Sequence, residues 1–151
     1  TAILARLDLG TGMLEYVTAG HPPATVLCRD GSATTRDGGR RLPLGMDTEL
    51  SEMEAPNMEI PAAGHVQLRR GDRVLFHTDG VTDARNAAGE FYDSQRLIDH
   101  ARLLHGEDET VPETARKLTQ QVVDSHDGPP QDDLTVVVCE WSSTAAEEML
   151  P

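Results

Sequence analysis

A chain of 151 residues is the size of one ordinary domain and long enough to bury a core. It is strongly acidic: 26 Asp and Glu against 13 Lys and Arg leave a net charge of −13, a surface that repels nucleic-acid phosphates and anionic lipid. Aromatic residues make up only 3%, so Leu, Val, Ile and Ala must fill the core, and no apolar run is long enough to span a membrane.

Strand-like alternation begins at once, with Ile3, Ala5, Leu7 and Leu9 on one face of ILARLDL. No methionine or capping segment precedes it, which reads as a chain that starts inside a larger domain. The turn signal GTG leads to MLEYVTA, then AGHPP, then ATVLCR and a turn at DGS, a run of antiparallel strands. Residues 30–64 are rich in Gly, Pro and charge without a clean period. They read as an irregular excursion holding RLPLGM and the acidic TELSEMEAP. Regular structure resumes with HVQLR, the turn RGD and RVLFHT, a pattern that predicts a hairpin.

Two helices should follow. The first starts near Asp93 or Ser94, buries Leu97, Ile98, Ala101 and Leu104, and stops at Gly106. The second carries the capping pattern T-x-x-E at Thr110 and Glu113, with Pro112 in its first turn and Ala115, Leu118 and Val122 as its buried stripe. After the polar turn DSHDGPPQDD, the strand LTVVVCEW is apolar on both faces, as a central strand would be. The expected domain runs over 1–141, and 142–151 reads as a frayed tail. The order of strands, two helices and a returning strand gives an α+β layered domain. Cys28 and Cys139 form neither a CxxC pair nor a dense framework, and no signal peptide opens the chain, so a reducing cytoplasm is the expected setting.

The residue that invites a functional question is Asp79, set directly after the strand RVLFHT and before a glycine. Asp132 and Asp133 precede the strand LTVVVCEW. If those strands are antiparallel neighbours, Asp79 and Asp132 meet on one rim of a sheet. Two adjacent carboxylates repel unless a cation or a proton lies between them, and an all-oxygen pair suits a hard ion such as Mg²⁺ or Mn²⁺. Spacing alone favours a plain Asp-Gly turn over a metal site.

Four stretches occur together and in order: YVTAGHPPATVL, LPLGM, LRRGDRVLFHTDGVTDARNAAGEFY and QDDLTVVVCEW. In this combination the chain resembles the carboxyl-terminal part of a PPM-type metal-dependent protein phosphatase, in the bacterial branch of sporulation protein E and the stress-response phosphatases. The resemblance spans residues 2 to about 141. It implies a layered α-β-β-α sandwich, mostly antiparallel and here truncated on its amino-terminal side. At one end two Mn²⁺ or Mg²⁺ ions would hold an activated water that hydrolyses phosphoserine or phosphothreonine. The implied protein substrate is a phosphorylated regulator of the anti-anti-sigma type.

By motif, the resemblance makes Asp79 and Asp132 metal ligands and gives Asp133 a supporting role. Asp83 stands where relatives carry an acid, and it reads either as a hydrogen-bonding support or as a surface turn. His21 of AGHPP falls at a strand end near the same rim, to contact substrate or to hold the turn. His77, on the same strand face as Asp79, reads as packing, with metal ligation as the alternative. Arg40 and Arg41 read as a solvated basic pair, with a phosphate contact as the alternative. No protein nucleophile is implied, and no GxSxG elbow or Ser-His-Asp order is present.

The family's upstream acid motifs have no counterpart in residues 1–151. The expectation is therefore a chain that is inactive by itself. A phosphatase-like module that binds a partner without catalysis is the alternative, and uncovered sheet edges would leave it open to pairing with a second copy.

Overall fold

The computed structural model describes residues 1–46, 62–126 and 132–142. Its strands are β1 (Ala2–Leu7), β2 (Met13–Ala19), β3 (Thr25–Leu27), β4 (Ala33–Thr35), β5 (Arg40–Arg41), β6 (Gly64–Gln67), β7 (Arg73–His77) and β8 (Val136–Glu140). Its helices are α1 (Asp79–Thr82), α2 (Ser94–Gly106) and α3 (Val111–Ser125). They form a mixed α+β fold of two four-stranded sheets. In the first, β2 pairs with β1 and β6 antiparallel and with β5 parallel; in the second the order is β4-β3-β7-β8, antiparallel throughout.

The period of two along each strand explains how the second sheet is covered on both sides. Val26 and Val74 point towards the first sheet and join Leu14, Leu68 and Trp141 in the core between the sheets. Their chain neighbours Leu27 and Leu75 point the other way, into a core with Leu97, Ala101, Leu104, Leu118 and Val122 from the two long helices. Spacings of four and three in α2 and of four in α3 place those residues on one stripe of each helix. The layers among the described residues are thus sheet, sheet, helices. Each fully buried Leu or Val contributes on the order of 2 kcal/mol through the apolar area it removes from water.

Several expectations change. HVQLR and RVLFHT do not form a hairpin: β6 pairs with β2 in one sheet, and β7 pairs with β3 and β8 in the other. The RGD turn is a crossing between layers. Leu68 donates its N–H to Gly12 at 3.0 Å on the first sheet's side, and Gly71 donates to Trp141 at 2.9 Å on the second's. The last strand is an edge strand, not a central one, with Val137 and Cys139 turned outward. The excursion at 30–64 contains β4 and β5, and Arg40 and Arg41 are the residues of β5. The acidic TELSEMEAP and residues 127–131 of the polar turn lie outside the described residues.

The helix starts divide. Asp93 caps α2, its carboxylate accepting the Arg96 N–H at 2.9 Å. Thr110 makes no side-chain cap on α3; Glu113 is drawn instead to Arg116, at 2.7 and 2.9 Å. Gly106 is still helical, and the chain leaves the helix through Glu107 and a left-handed Asp108. On α3 the buried stripe is Thr114, Leu118 and Val122, with Ala115 only half-buried; Ile98 of α2 is likewise half-buried.

Candidate functional site

β7 and β8 are antiparallel neighbours, with His77 opposite Val136. The end of one strand therefore lies beside the start of the other, and three hydrogen bonds carry the pairing past its last rung. Thr78 donates its N–H to the Thr135 carbonyl at 3.1 Å, its hydroxyl donates to the Asp133 carbonyl at 2.8 Å, and the same hydroxyl accepts the Thr135 N–H at 3.0 Å. Thr78 thus fastens the segment that carries Asp132 to the residue before Asp79.

Asp79 is not a simple turn residue. It opens the one-turn helix α1, whose end is closed by the Asp83 N–H on the Asp79 carbonyl at 2.8 Å. Gly80 is what permits the approach. A Cβ at that position would lie 2.6 Å from the Asp133 carbonyl oxygen and 3.3 Å from the Asp132 Cβ, so only glycine lets the two acidic segments close up.

Both aspartates are exposed, and each uses one oxygen locally: Asp79 accepts the Gly80 N–H at 3.1 Å, and Asp132 accepts the Asp133 N–H at 2.7 Å. The other oxygens carry no hydrogen bond within the described residues. Such a pair suits a hard divalent cation in donor type, and supplies fewer ligands than such an ion takes, leaving the rest to water or to further acids. No group of three or more His, Cys, Asp or Glu with metal-holding geometry occurs among the described residues.

A cleft of about 430 Å³ opens beside this rim. Asp132 and Asp83 line it, with Gly80, Leu134, Arg85 and His126. Arg85 and His126 were not singled out from the sequence. They are linked, the Arg85 N–H reaching His126 Nδ1 at 3.2 Å, and the Arg85 guanidinium stacks on the Phe91 ring at 4.0 Å. The only available signal was the position of Arg85 six residues after Asp79, on the same motif. Asp133 contributes through its carbonyl, as above, while its carboxylate is exposed.

The remaining candidates fall at the same end of the fold. His21, half-buried, places Nδ1 3.2 Å from the Pro22 carbonyl and lies near enough to His77 to affect its charge. His77 is buried, and burial pushes its basicity down. Its Nδ1 faces the Thr78 carbonyl at 3.1 Å, an interaction that opposes the shift, while the His21 ring adds to it and Asp79 resists it. AGHPP and LPLG, distant in sequence, meet here: Gly20 donates to the Arg41 carbonyl at 3.1 Å, and Pro43 packs where a Gly20 side chain would stand, 2.5 Å from that Cβ position. Gly20 has a left-handed φ of +64°, which fits the same requirement.

Comparison with known proteins accounts for this convergence of motifs. The family model of Stage II sporulation protein E (SpoIIE) matches residues 1–142. The chain is 34% identical to the phosphoserine phosphatase RsbP of Bacillus subtilis over 84 residues, covering 55% of this chain and 18% of RsbP. It spans about a fifth of the length of the curated relatives it matches. Its fold is similar to part of the structure of the RsbU and RsbW domains of Rv1364c from Mycobacterium tuberculosis, with a TM-score of 0.71 at 22% identity over 91% of this chain and 35% of that one. It is also similar to that of the manganese-presoaked phosphatase domain of the cell fate determinant SpoIIE from Bacillus subtilis, with a TM-score of 0.68 at 22% identity over 100% of this chain and 60% of that one. The chain belongs to the SpoIIE family of PP2C-type phosphatase domains.

Proposed function

We propose that this chain carries part of the metal-binding rim of a protein serine/threonine phosphatase, with Asp79 and Asp132 as ligands of Mn²⁺ or Mg²⁺. The observation that carries the reading is the β7–β8 pairing, which brings the two aspartates to one rim with a free oxygen each. Membership of the SpoIIE family and the likeness to a manganese-presoaked relative support a divalent ion there. Such ions, when bound, supply a water of lowered pKa and neutralise phosphoryl oxygens.

The chain's own residues have distinct tasks in this reading. Thr78 and the Asp133 carbonyl hold the rim together, Asp83 and His21 support it from either side, and the cleft past Arg85 receives the polypeptide around the phosphorylated residue. The substrate carries phosphoserine or phosphothreonine, in line with similarity to the phosphoserine phosphatase RsbP, and by the motif resemblance it is a regulator of the anti-anti-sigma type. The domain occupies residues 1–141, followed by a tail over 142–151, and works in the cytoplasm; no helix among the described residues is long and apolar enough to cross a membrane. With two carboxylates and no counterpart of the family's upstream acid motifs, the chain alone binds metal weakly and turns over little substrate. That thin donor set is also what favours a second reading, a phosphatase-like module that binds a partner without catalysis. The exposed edge of β8 and the exposed Leu4 of β1 make self-association a further property to test by sedimentation.

The deciding experiment is a Mn²⁺ titration by calorimetry on this chain and on its Asp79→Ala and Asp132→Ala variants. Weak uptake abolished by either substitution is the expected result. Uptake indifferent to both would mean diffuse attraction to an acidic surface, and the assignment would fall.

A further inference from the structure

At the end of the sandwich away from the aspartate rim, a cleft of about 340 Å³ is ringed by Arg29, Arg69 and Arg70, with Gln67 at its side. Three of the chain's 13 basic residues thus face one small opening on a protein of net charge −13. Four other cations are neutralised, Arg6 by Glu15, Arg102 by Asp99, Arg116 by Glu113 and Lys117 by Glu109, while Arg85 and Arg96 lie over the Phe91 and Tyr92 rings. Arg29, Arg69 and Arg70 make no ion pair among the described residues, although acids outnumber bases two to one in the chain.

Their placement is built rather than accidental. The buried Asp72 accepts the Arg29 N–H at 3.1 Å and the Arg69 N–H at 2.8 Å, one on each of its oxygens, so a single carboxylate fixes both backbones beside each other. Arg70 lies over the Trp141 ring at 4.1 Å and donates to the Ser142 carbonyl, which holds its guanidinium at the cleft. The second acid of the cleft, Asp30, is turned to Ser32, accepting its N–H at 2.9 Å and its hydroxyl at 2.6 Å. Both acids are committed locally, while two of the guanidinium groups are left to solvent.

We infer that this cleft is a docking site for an acidic segment of a partner protein. Its donors are all exposed and spread around an open mouth, which suits several carboxylates on a flexible chain better than one small enclosed anion. A nucleic acid would need a longer basic track to offset the repulsion from the rest of the surface. Because the length of β7 separates the cleft from Asp79 and Asp132, a bound segment leaves the rim open.

The test uses the whole chain and a fluorescent polyglutamate peptide, with polyglutamine, inorganic phosphate and a short DNA duplex as comparisons, read by anisotropy at low salt. The expected result is salt-sensitive binding of polyglutamate that weakens by about tenfold in Arg29→Gln/Arg69→Gln, as the loss of two charge contacts would produce. The charge-matched Arg6→Gln/Arg116→Gln chain should bind like the parent. Equal weakening in both double variants would reduce the effect to net charge and overturn the site. So would an absence of polyglutamate binding, competition by phosphate at equal charge, or tighter binding of the duplex.

Discussion

At its start, strand β7 carries Arg73 directly after Asp72, both buried and both hydrogen-bonded on every charged N or O atom of the side chain. Arg73 reaches Glu140 at 2.8 Å, the Thr114 hydroxyl at 3.1 Å and the Glu109 carbonyl at 2.6 Å, so one guanidinium ties the strand to its neighbour and to the start of α3. Past the other end of the same strand, Asp79 and Asp132 are exposed and keep an oxygen each in reserve. Buried charge costs desolvation and is kept only when every donor and acceptor is matched. Exposed, half-used carboxylates held side by side by a glycine serve no comparable structural purpose. The difference separates residues that hold the fold from residues available to a ligand.

The sharpest way to break this comparison is at Arg73. Arg73→Met keeps much of the apolar stem but leaves Glu140 without its cation and the Thr114 hydroxyl and Glu109 carbonyl without a donor. A loss of about 2 kcal/mol is expected from leaving the half-buried Glu140 and the two acceptors without their donor, measured by urea unfolding with an unchanged slope. A loss below about 1 kcal/mol, the scale of a surface ion pair, would mean that the network is not what fastens α3 to the sheet.

That buried network was not legible in the sequence, while the acids of the rim were. TDGV and DDLT announce themselves by acids at strand ends, but the antiparallel pairing that joins them is an assumption in the sequence and comes only with the β7–β8 ladder. Arg73, by contrast, looks like any charged residue after a turn, and only the arrival of α3 beside β7 makes its burial intelligible. The hairpin failed for a related reason. Alternation in HVQLR and RVLFHT marks both as strands, but it does not say which sheet receives each one. Leu68 and Val74 both serve the core between the sheets, from opposite sides of it. The valines of LTVVVCEW misled similarly: Val136 and Val138 do pack against the helical core, whereas Val137 lies on the open side of an edge strand. In α3, the T-x-x-E pattern was overridden because Glu113 found Arg116 one turn on.

A smaller effect should come from His105, which packs beside the same network. Neither ring nitrogen has a hydrogen-bond partner within the described residues, and burial pushes its basicity down. Arg73 and Arg29 add to that shift, while Glu140 and Asp72 oppose it. Above the ordinary histidine value of about 6.5 both folded and unfolded chains hold the ring neutral, so its contribution is intact. Below it, the unfolded chain takes up a proton that the folded chain resists, and stability falls with pH until the depressed folded value is passed. Unfolding free energies across that window should decline more steeply in the parent than in His105→Gln. Identical slopes would remove His105 as a contributor.

The smallest expected change in stability lies at the rim, and there a null result is informative. Asp79→Ala and Asp132→Ala each remove one local hydrogen bond to the next backbone N–H and a negative charge from a crowded acidic edge. Exposed positions of this kind usually move stability by less than about 0.5 kcal/mol, and relief of repulsion between the carboxylates works in the stabilising direction. Combining both substitutions should leave the unfolding midpoint unchanged or slightly raised without metal. In the parent, added Mn²⁺ should raise the midpoint through preferential binding to the folded state, and the double variant should lose that response. If instead the double substitution cost as much as Arg73→Met, the rim carboxylates would be structural, and the contrast between the two ends of β7 would disappear.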